Sequence, residues 1–186
     1  MSLSATNIND LGMRLYEAWK NASQIPPITE SFSNASIEDA YQIQLAMMNQ
    51  RIKSGETVVG KKIGITAKIV MDMLGVDQPD FGHLTSGMEF KNSDDLPTKK
   101  FCQPKGEGEI AFLLNKDLIG PGITYAQVIA ATECVVPAFE IVDSRIKDWK
   151  IKIFYRLSYN TNGFSNMVYA TIRSISNAVN IFFKFF

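Results

Sequence analysis

Glu107 and Glu109 stand two residues apart in Lys105-Gly106-Glu107-Gly108-Glu109-Ile110-Ala111-Phe112, set among glycines and ahead of an apolar run. Such a run reads as a strand entering a core. Alternate side chains on a strand share a face, so the two carboxylates project together. Like charges side by side on a half-buried face repel and lose hydration. A divalent cation removes that penalty, and hard oxygen ligands suit Mg²⁺, Mn²⁺ or Ca²⁺. An edge strand with both carboxylates in water answers to the same residues. A third acid, Glu140, lies between Phe139 and Ile141 in the apolar run Cys134-Val135-Val136-Pro137-Ala138-Phe139-Glu140-Ile141-Val142. A carboxylate there needs a partner. A lysine would serve, but a cation shared with Glu107 and Glu109 accounts for all three acids and leaves coordination positions for water or a bidentate substrate.

Other chemistry-bearing residues lie upstream. Val58-Val59-Gly60-Lys61-Lys62-Ile63-Gly64-Ile65 is β-branched and glycine-punctuated, the pattern of a strand that something approaches closely. One of its two adjacent lysines must face the less exposed side, where an ammonium carries a substrate carboxylate or moves protons; a partly solvated surface lysine is the plainer alternative. Asp80 follows Pro79 and precedes Phe81 in a turn-rich stretch over 76–83, a rigid loop that would aim it. His83 is the only histidine, which argues against a histidine metal centre and against a Ser-His-Asp triad; it reads as a loop residue.

Helices and turns must position these groups. Ile8, Leu11, Leu15, Ala18 and Trp19 recur at helical spacing and predict a helix over 7–23, stopped before Pro26-Pro27. Ser36 with Asp39 three residues on opens a second helix, with Ile37, Tyr41, Leu45, Met48 and Ile52 as its apolar face and Gly55 as its stop. Met47 and Met48 read as core filler. Thr66 caps a short helix ending at Gly75, and Thr124 caps another through Val128, Ile129 and Ala130. Residues 145–150 read as a polar helical turn. This sets an N-terminal helical cap (1–56) ahead of a metal-binding β core that begins at residue 57.

Composition excludes several classes. The 186 residues are 46% hydrophobic and 20% charged with zero net charge, an ordinary globular balance without the basic surface a nucleic-acid partner requires. The two cysteines, Cys102 and Cys134, make neither a disulfide framework nor a metal-binding pair; they predict core fillers in a reducing cytoplasm. No secretory signal or membrane span is evident, so a cytoplasmic location is expected.

Four blocks resemble one family in order: Gly60-Lys61-Lys62-Ile63-Gly64-Ile65-Thr66, Asp77-Gln78-Pro79-Asp80-Phe81-Gly82, Gln103-Pro104 with Glu107 to Phe112, and Phe139-Glu140-Ile141-Val142-Asp143-Ser144-Arg145-Ile146-Lys147-Asp148-Trp149. The chain resembles the 2-keto-4-pentenoate hydratases of the fumarylacetoacetate hydrolase superfamily. The resemblance implies an α+β fold, with N-terminal helices followed by a mixed β-roll. It implies Mg²⁺ or Mn²⁺ on Glu107, Glu109 and Glu140, an active-site lysine at Lys62 and a loop aspartate at Asp80. The implied reaction adds water to 2-hydroxypenta-2,4-dienoate to give 4-hydroxy-2-oxopentanoate, in a homo-oligomer acting on small 2-oxo acids. A 2-oxo-3-hexenedioate (4-oxalocrotonate) decarboxylase or an acylpyruvate-type hydrolase shares the scaffold; the 76–82 loop favours the hydratase.

The resemblance has departures. Ala67 follows Thr66 where many members carry a polar residue, and the match fades after Ile153. Phe154, Tyr155 and Tyr159 stand where members carry polar or acidic groups. The resemblance thus implies a C-terminally incomplete roll, a metal-binding core over 57–153 followed by a divergent tail over 154–186 that adds no strand in register, and weak or absent activity. An inactive remnant is the further alternative.

Overall fold

The computed structural model describes residues 2–74, 77–91 and 94–149, together with the strands Phe164–Tyr169 and Phe182–Phe183. Ser4 accepts a hydrogen bond from the Asn7 backbone N–H at 3.2 Å and so caps helix α1 (Ala5–Lys20), satisfying one of the orphan donors of its first turn. A short helix, α2 (Ile28–Ser31), follows the two prolines; the sequence pattern did not foresee it. Helix α3 (Ile37–Lys53) opens with a full capping box, Ser36 and Asp39 each bonding the other's backbone N–H. Asp39 also accepts from Ser2 Oγ at 2.6 Å and Leu3 N at 3.0 Å, tying the start of the chain to this helix.

The buried stripe of α3 keeps Met48 of the predicted face but otherwise departs from it. Ala40, Ile43, Gln44, Met47 and Arg51 face inward, while Leu45 and Ile52 are exposed. Arg51 turns in because it gains partners there: it bonds Glu56 at 2.7 and 3.0 Å and stacks 3.8 Å over the Trp19 ring. Glu56 also accepts from Thr85 Oγ1, so this ion pair joins the helices to the strands. Helices α1 and α3 pack closely because Gly12 has no side chain; a Cβ there would lie 2.6 Å from Ala46 Cβ.

Strands β1 (Val58–Gly64) and β2 (Asp80–Thr85) form an antiparallel pair, with helix α4 (Lys68–Leu74) in the connection. Much of the predicted 76–83 loop is thus strand. Alternation explains it: Asp80, Gly82 and Leu84 point inward while Phe81 and His83 point away. The second sheet has five strands in the order β3-β6-β5-β4-β7, where β3 is Glu89–Phe90, β4 Lys105–Leu114, β5 Thr132–Asp143, β6 Phe164–Tyr169 and β7 Phe182–Phe183. Helix α5 (Tyr125–Ala131), capped by Thr124, leads into β5. The tail was expected to add no strand, yet β6 runs antiparallel to β5 from Phe164 opposite Asp143 to Tyr169 opposite Ala138, and β7 meets β4 at Phe112 and Leu113. The rest of 150–186 lies outside the described residues.

The result is an α+β architecture with helices first and strands after. Its core joins Leu11, Leu15, Ile43 and Met47 of the helices to Leu84, Ala111 and Ala138 of the strands and to Ile146 just beyond β5. Cys102 and Cys134 are free thiols, only half-buried rather than core residues. Among the described residues no helix is long and apolar enough to cross a membrane.

Candidate metal centre

Register sets the site. Strands β4 and β5 pair antiparallel with Glu107 opposite Glu140 and Glu109 opposite Ala138, so all three glutamates occupy one face of the ribbon. Oxygens of the three lie within 4.8 Å of one another, and among the described residues this is the group of acids that could hold a metal ion. Glu109 is 8% exposed and Glu140 is 2% exposed, with Glu107 half-buried. The edge-strand alternative, with the carboxylates in water, does not fit that burial.

Two oxygens on opposite sides of one cation lie about 4.2 Å apart for Mg²⁺ bonds and about 5 Å for Ca²⁺ bonds. The observed spread therefore closes on a hard divalent ion with small side-chain movements. The donor set is all carboxylate, which suits magnesium, manganese or calcium over softer ions.

The β1–β2 pair lies over this face. Of the two adjacent lysines, Lys61 is exposed and Lys62 is 4% exposed. Lys62 Nζ lies 2.5 Å from Glu140 Oε1, bridging the two sheets. Burial alone would lower the lysine's pKa, but the charges of Glu140, Asp80 and Glu107 and the Glu140 hydrogen bond outweigh it and hold the ammonium above its ordinary value. Asp80 is 2% exposed and stands across from Gly64 on β1, two places along the ribbon from the Lys62–Gly82 pair and so on the same face. Its carboxylate fills the space a side chain at position 64 would need: a Cβ there would meet Asp80 Oδ1 at 2.2 Å. Gly64 is thus a steric condition for the aspartate's placement.

The sequence reading missed some nearby groups. Tyr41 was assigned to an apolar face, but burial, with the Asp80 charge, pushes its phenol above the ordinary value despite a hydrogen bond from the Phe81 backbone. Asp143 and Ser144 read only as the end of an apolar strand and Arg145 as the start of a polar turn, yet all three are buried. Asp143 accepts from the backbone N–H groups of Cys102 and Gln103, the latter at 2.7 Å, and pairs with Arg145. Arg145 Nη2 donates to the Lys100 carbonyl at 3.0 Å, so the loop entering β4 is fixed before the first glutamate is reached. Gln103 and Asp143 lie within the sequence blocks singled out above, the one signal that pointed to them. His83 lies on the outer face of β2, opposite Lys61 in register, with its imidazole pulled below the ordinary value by burial and by Lys61. It takes no part in the site.

No family model matches the chain. A 2-hydroxypent-2,4-dienoate hydratase from Pseudomonas putida is 54% identical over 152 residues, covering 81% of this chain and 68% of that protein. The chain belongs to the 2-keto-4-pentenoate hydratase family. Other members of the hydratase family are a 2-hydroxyhexa-2,4-dienoate hydratase from Comamonas testosteroni, 55% identical over 148 residues (78% of this chain, 56% of that one), and a 2-keto-4-pentenoate hydratase from Paraburkholderia xenovorans, 42% identical over 148 residues (80% and 55%). This hydratase-family chain spans 55% to 68% of the length of these three relatives. Its fold is that of the fumarylacetoacetate hydrolase superfamily, matching 4-oxalocrotonate decarboxylase from Pseudomonas putida G7 complexed with magnesium and adipate at a TM-score of 0.82 and 27% identity. That match covers 90% of this chain and 64% of the decarboxylase. The same decarboxylase complexed with calcium and acetate matches at a TM-score of 0.79.

Proposed function

We propose that the chain adds water to 2-hydroxypenta-2,4-dienoate, giving 4-hydroxy-2-oxopentanoate, with Mg²⁺ or Mn²⁺ held by Glu107, Glu109 and Glu140. The observation that carries the reading is the convergence of Lys62, 2.5 Å from Glu140, with a three-carboxylate cluster and the buried Asp80. The identity of 54% to a pentadienoate hydratase and the magnesium in the decarboxylase complex support it. When bound, the ion would act as a Lewis acid toward the substrate's 1-carboxylate and 2-oxygen.

The chain's own residues supply proton handling and dryness. In the first stage the dienol gives up its 2-hydroxyl proton, the double bonds shift and C5 takes a proton, which leaves a 3-enoate conjugated with the new ketone. Asp80 is the proton acceptor, since a carboxylate held beside an ammonium stays available as a base. Lys62, charged and buried, is the proton donor on the same face. In the second stage the roles reverse: neutral Lys62 takes a proton from the water whose oxygen bonds C4, and protonated Asp80 delivers one to C3, which returns both groups to their starting states. The β1–β2 pair excludes bulk water from Lys62 and Asp80, so their fields act in a low-dielectric setting.

A decarboxylase reading is favoured by the structural match alone, at 27% identity. Two substrates separate them: the Mg²⁺-loaded chain is given 2-hydroxypenta-2,4-dienoate, with loss of diene absorbance followed, and 2-oxo-3-hexenedioate, with carbon dioxide followed. Hydration of the first is expected. Carbon dioxide from the second without hydration of the first would reverse the assignment, and turnover of neither by metal-loaded protein would refute catalysis by this chain.

A further inference from the structure

Asp80 stands at the end of its ribbon. The β1–β2 pairing runs from Val58 opposite Thr85 to Gly64 opposite Asp80 and stops there, because Ile65 takes a positive φ of 54° and turns β1 away. Strand ends open more readily than strand centres. Pro79, on the near side of Asp80, has no N–H with which to extend the ladder. Phe81, on the far side, is 50% exposed, so packing of its ring holds the backbone only in part. Yet the carboxylate between them is closely placed, filling the space of a Cβ on Gly64. Something outside the ribbon must steady this end.

Helix α3 supplies the hold. Tyr41 and Gln44 are three residues apart, which puts them on one face of the helix, and both reach Phe81. Gln44, 5% exposed, donates from Nε2 to the Phe81 carbonyl at 3.2 Å. Burial pushes the Tyr41 phenol up, the Phe81 backbone pulls it back, and the Asp80 charge adds to the rise. A hydrogen bond that pulls a phenol down is one its oxygen accepts, so the donor is the Phe81 N–H. Both polar groups of one residue are thus gripped from one helix face. The Phe81 N–H shares a planar peptide with the Asp80 carbonyl, so fixing it fixes the backbone rotation beside the Asp80 side chain.

We infer that Tyr41 and Gln44 are positioning residues, which hold Asp80 on the face of Lys62 by gripping the N–H and the carbonyl of Phe81. The inference rests on the reading of Asp80 as proton acceptor. A displacement of about 1 Å at a reacting group costs roughly a hundredfold in rate, so the grip acts on turnover far more than on folding.

The test compares wild type, Tyr41→Phe, Gln44→Met, Asp39→Ala and Asp80→Asn. Turnover of 2-hydroxypenta-2,4-dienoate is measured with Mg²⁺ present, Mn²⁺ affinity by calorimetric titration, and backbone amide exchange by NMR. Tyr41→Phe keeps the ring that packs against the core and loses only the hydroxyl. Its kcat is expected to fall about ten- to hundredfold, with KM and Mn²⁺ affinity unchanged. Its Phe81 amide should exchange about tenfold faster while that of Leu84 keeps its protection. Gln44→Met should give the same split between kcat and KM. Asp39→Ala, which loosens the start of α3 away from Phe81, should lower the melting temperature and leave kcat unchanged. A kcat loss in Tyr41→Phe no larger than in Asp39→Ala would overturn the inference, as would unchanged exchange of the Phe81 amide. A rise in KM alone would overturn it too, by making Tyr41 a substrate contact. In each of these cases loss of turnover in Asp80→Asn leaves the proton-acceptor reading standing. Full turnover in Asp80→Asn, or turnover by no protein including wild type, would overturn that reading and the inference with it.

Discussion

Replacing Lys62 by methionine keeps the length of the side chain and removes its charge. Glu140, 2% exposed and 2.5 Å from the ammonium in wild type, is then left facing Glu107 and Glu109 without that ammonium. Removing one partner of a buried ion pair costs about 3–5 kcal/mol. A chain of this size loses roughly 2–4 °C of melting temperature per kcal/mol, so metal-free Lys62→Met should melt about 10 °C below wild type. The loss has a specific remedy. The glutamates are intact and no ammonium competes for them, so the variant should bind Mg²⁺ at least as tightly as wild type. An ion at a hundredfold excess over its Kd returns about 2.7 kcal/mol, most of the deficit. Turnover should stay absent even so. The pH response follows from the raised pKa of Lys62: the pair's contribution is complete below the ordinary lysine value and lost only as pH rises through the raised one. The gap between wild type and variant should stay level through neutral pH and close only in strong alkali. Differential scanning calorimetry with and without Mg²⁺ measures all of this. Equal melting of the two metal-free proteins would refute the claim that Lys62 compensates the glutamates.

Further outcomes are expected. Glu109→Gln should weaken Mn²⁺ binding by at least tenfold in calorimetric titration, because it removes one of three carboxylates within 4.8 Å. Gly64→Ala should lower turnover far more than stability, since its Cβ, 2.2 Å from Asp80 Oδ1, displaces that carboxylate while β1 keeps its pairing; unchanged turnover would remove Asp80 from the chemistry. Asp39→Ala should cost about 1–2 kcal/mol at neutral pH through loss of the α3 cap. The hydrogen bond from Ser2, outweighing burial, together with those of Ser36 and Leu3, lowers the Asp39 pKa to about 2. Its contribution is therefore present above the ordinary aspartate value and lost as pH falls toward about 2, so the variant should show a shallower acid limb in a pH–melting profile.

The site was legible where chemistry and periodicity coincide. Glutamates at 107 and 109 had to share a face, and one of two neighbouring lysines had to turn inward; nothing beyond strand alternation was needed. The same logic failed at 80–85, where Pro79 and Gly82 read as turn chemistry although Asp80, Gly82 and Leu84 alternate as a strand. A carboxylate that packs against a glycine on the neighbouring strand looks, in one dimension, like a loop acid. Helix α3 misled for a related reason: an arginine on its buried face is tolerated only because Glu56 and Trp19 receive it, and neither lies on the same helix. Pairings across distant segments, such as Asp143 with the backbone of residues 102 and 103, leave no local trace.

The segment after α1 is bound to the far end of β5. Ile25 N donates to Arg145 O at 2.8 Å, Lys147 N donates to Ile25 O at 3.0 Å, and Gln24 Nε2 reaches the Ser144 carbonyl, 120 residues along the chain. On a ribosome adding about 5–20 residues per second, Gln24 and Ile25 emerge roughly 6–24 s before their partners do. The helices can pair with each other in that interval, but the edge that joins them to the glutamate-bearing strand stays open. Nascent chains of this protein therefore pass through a long stage in which the helical part is formed and the glutamate cluster is not. Limited proteolysis of stalled chains would find the bond after Gln24 cleavable until about residue 147 has left the exit tunnel.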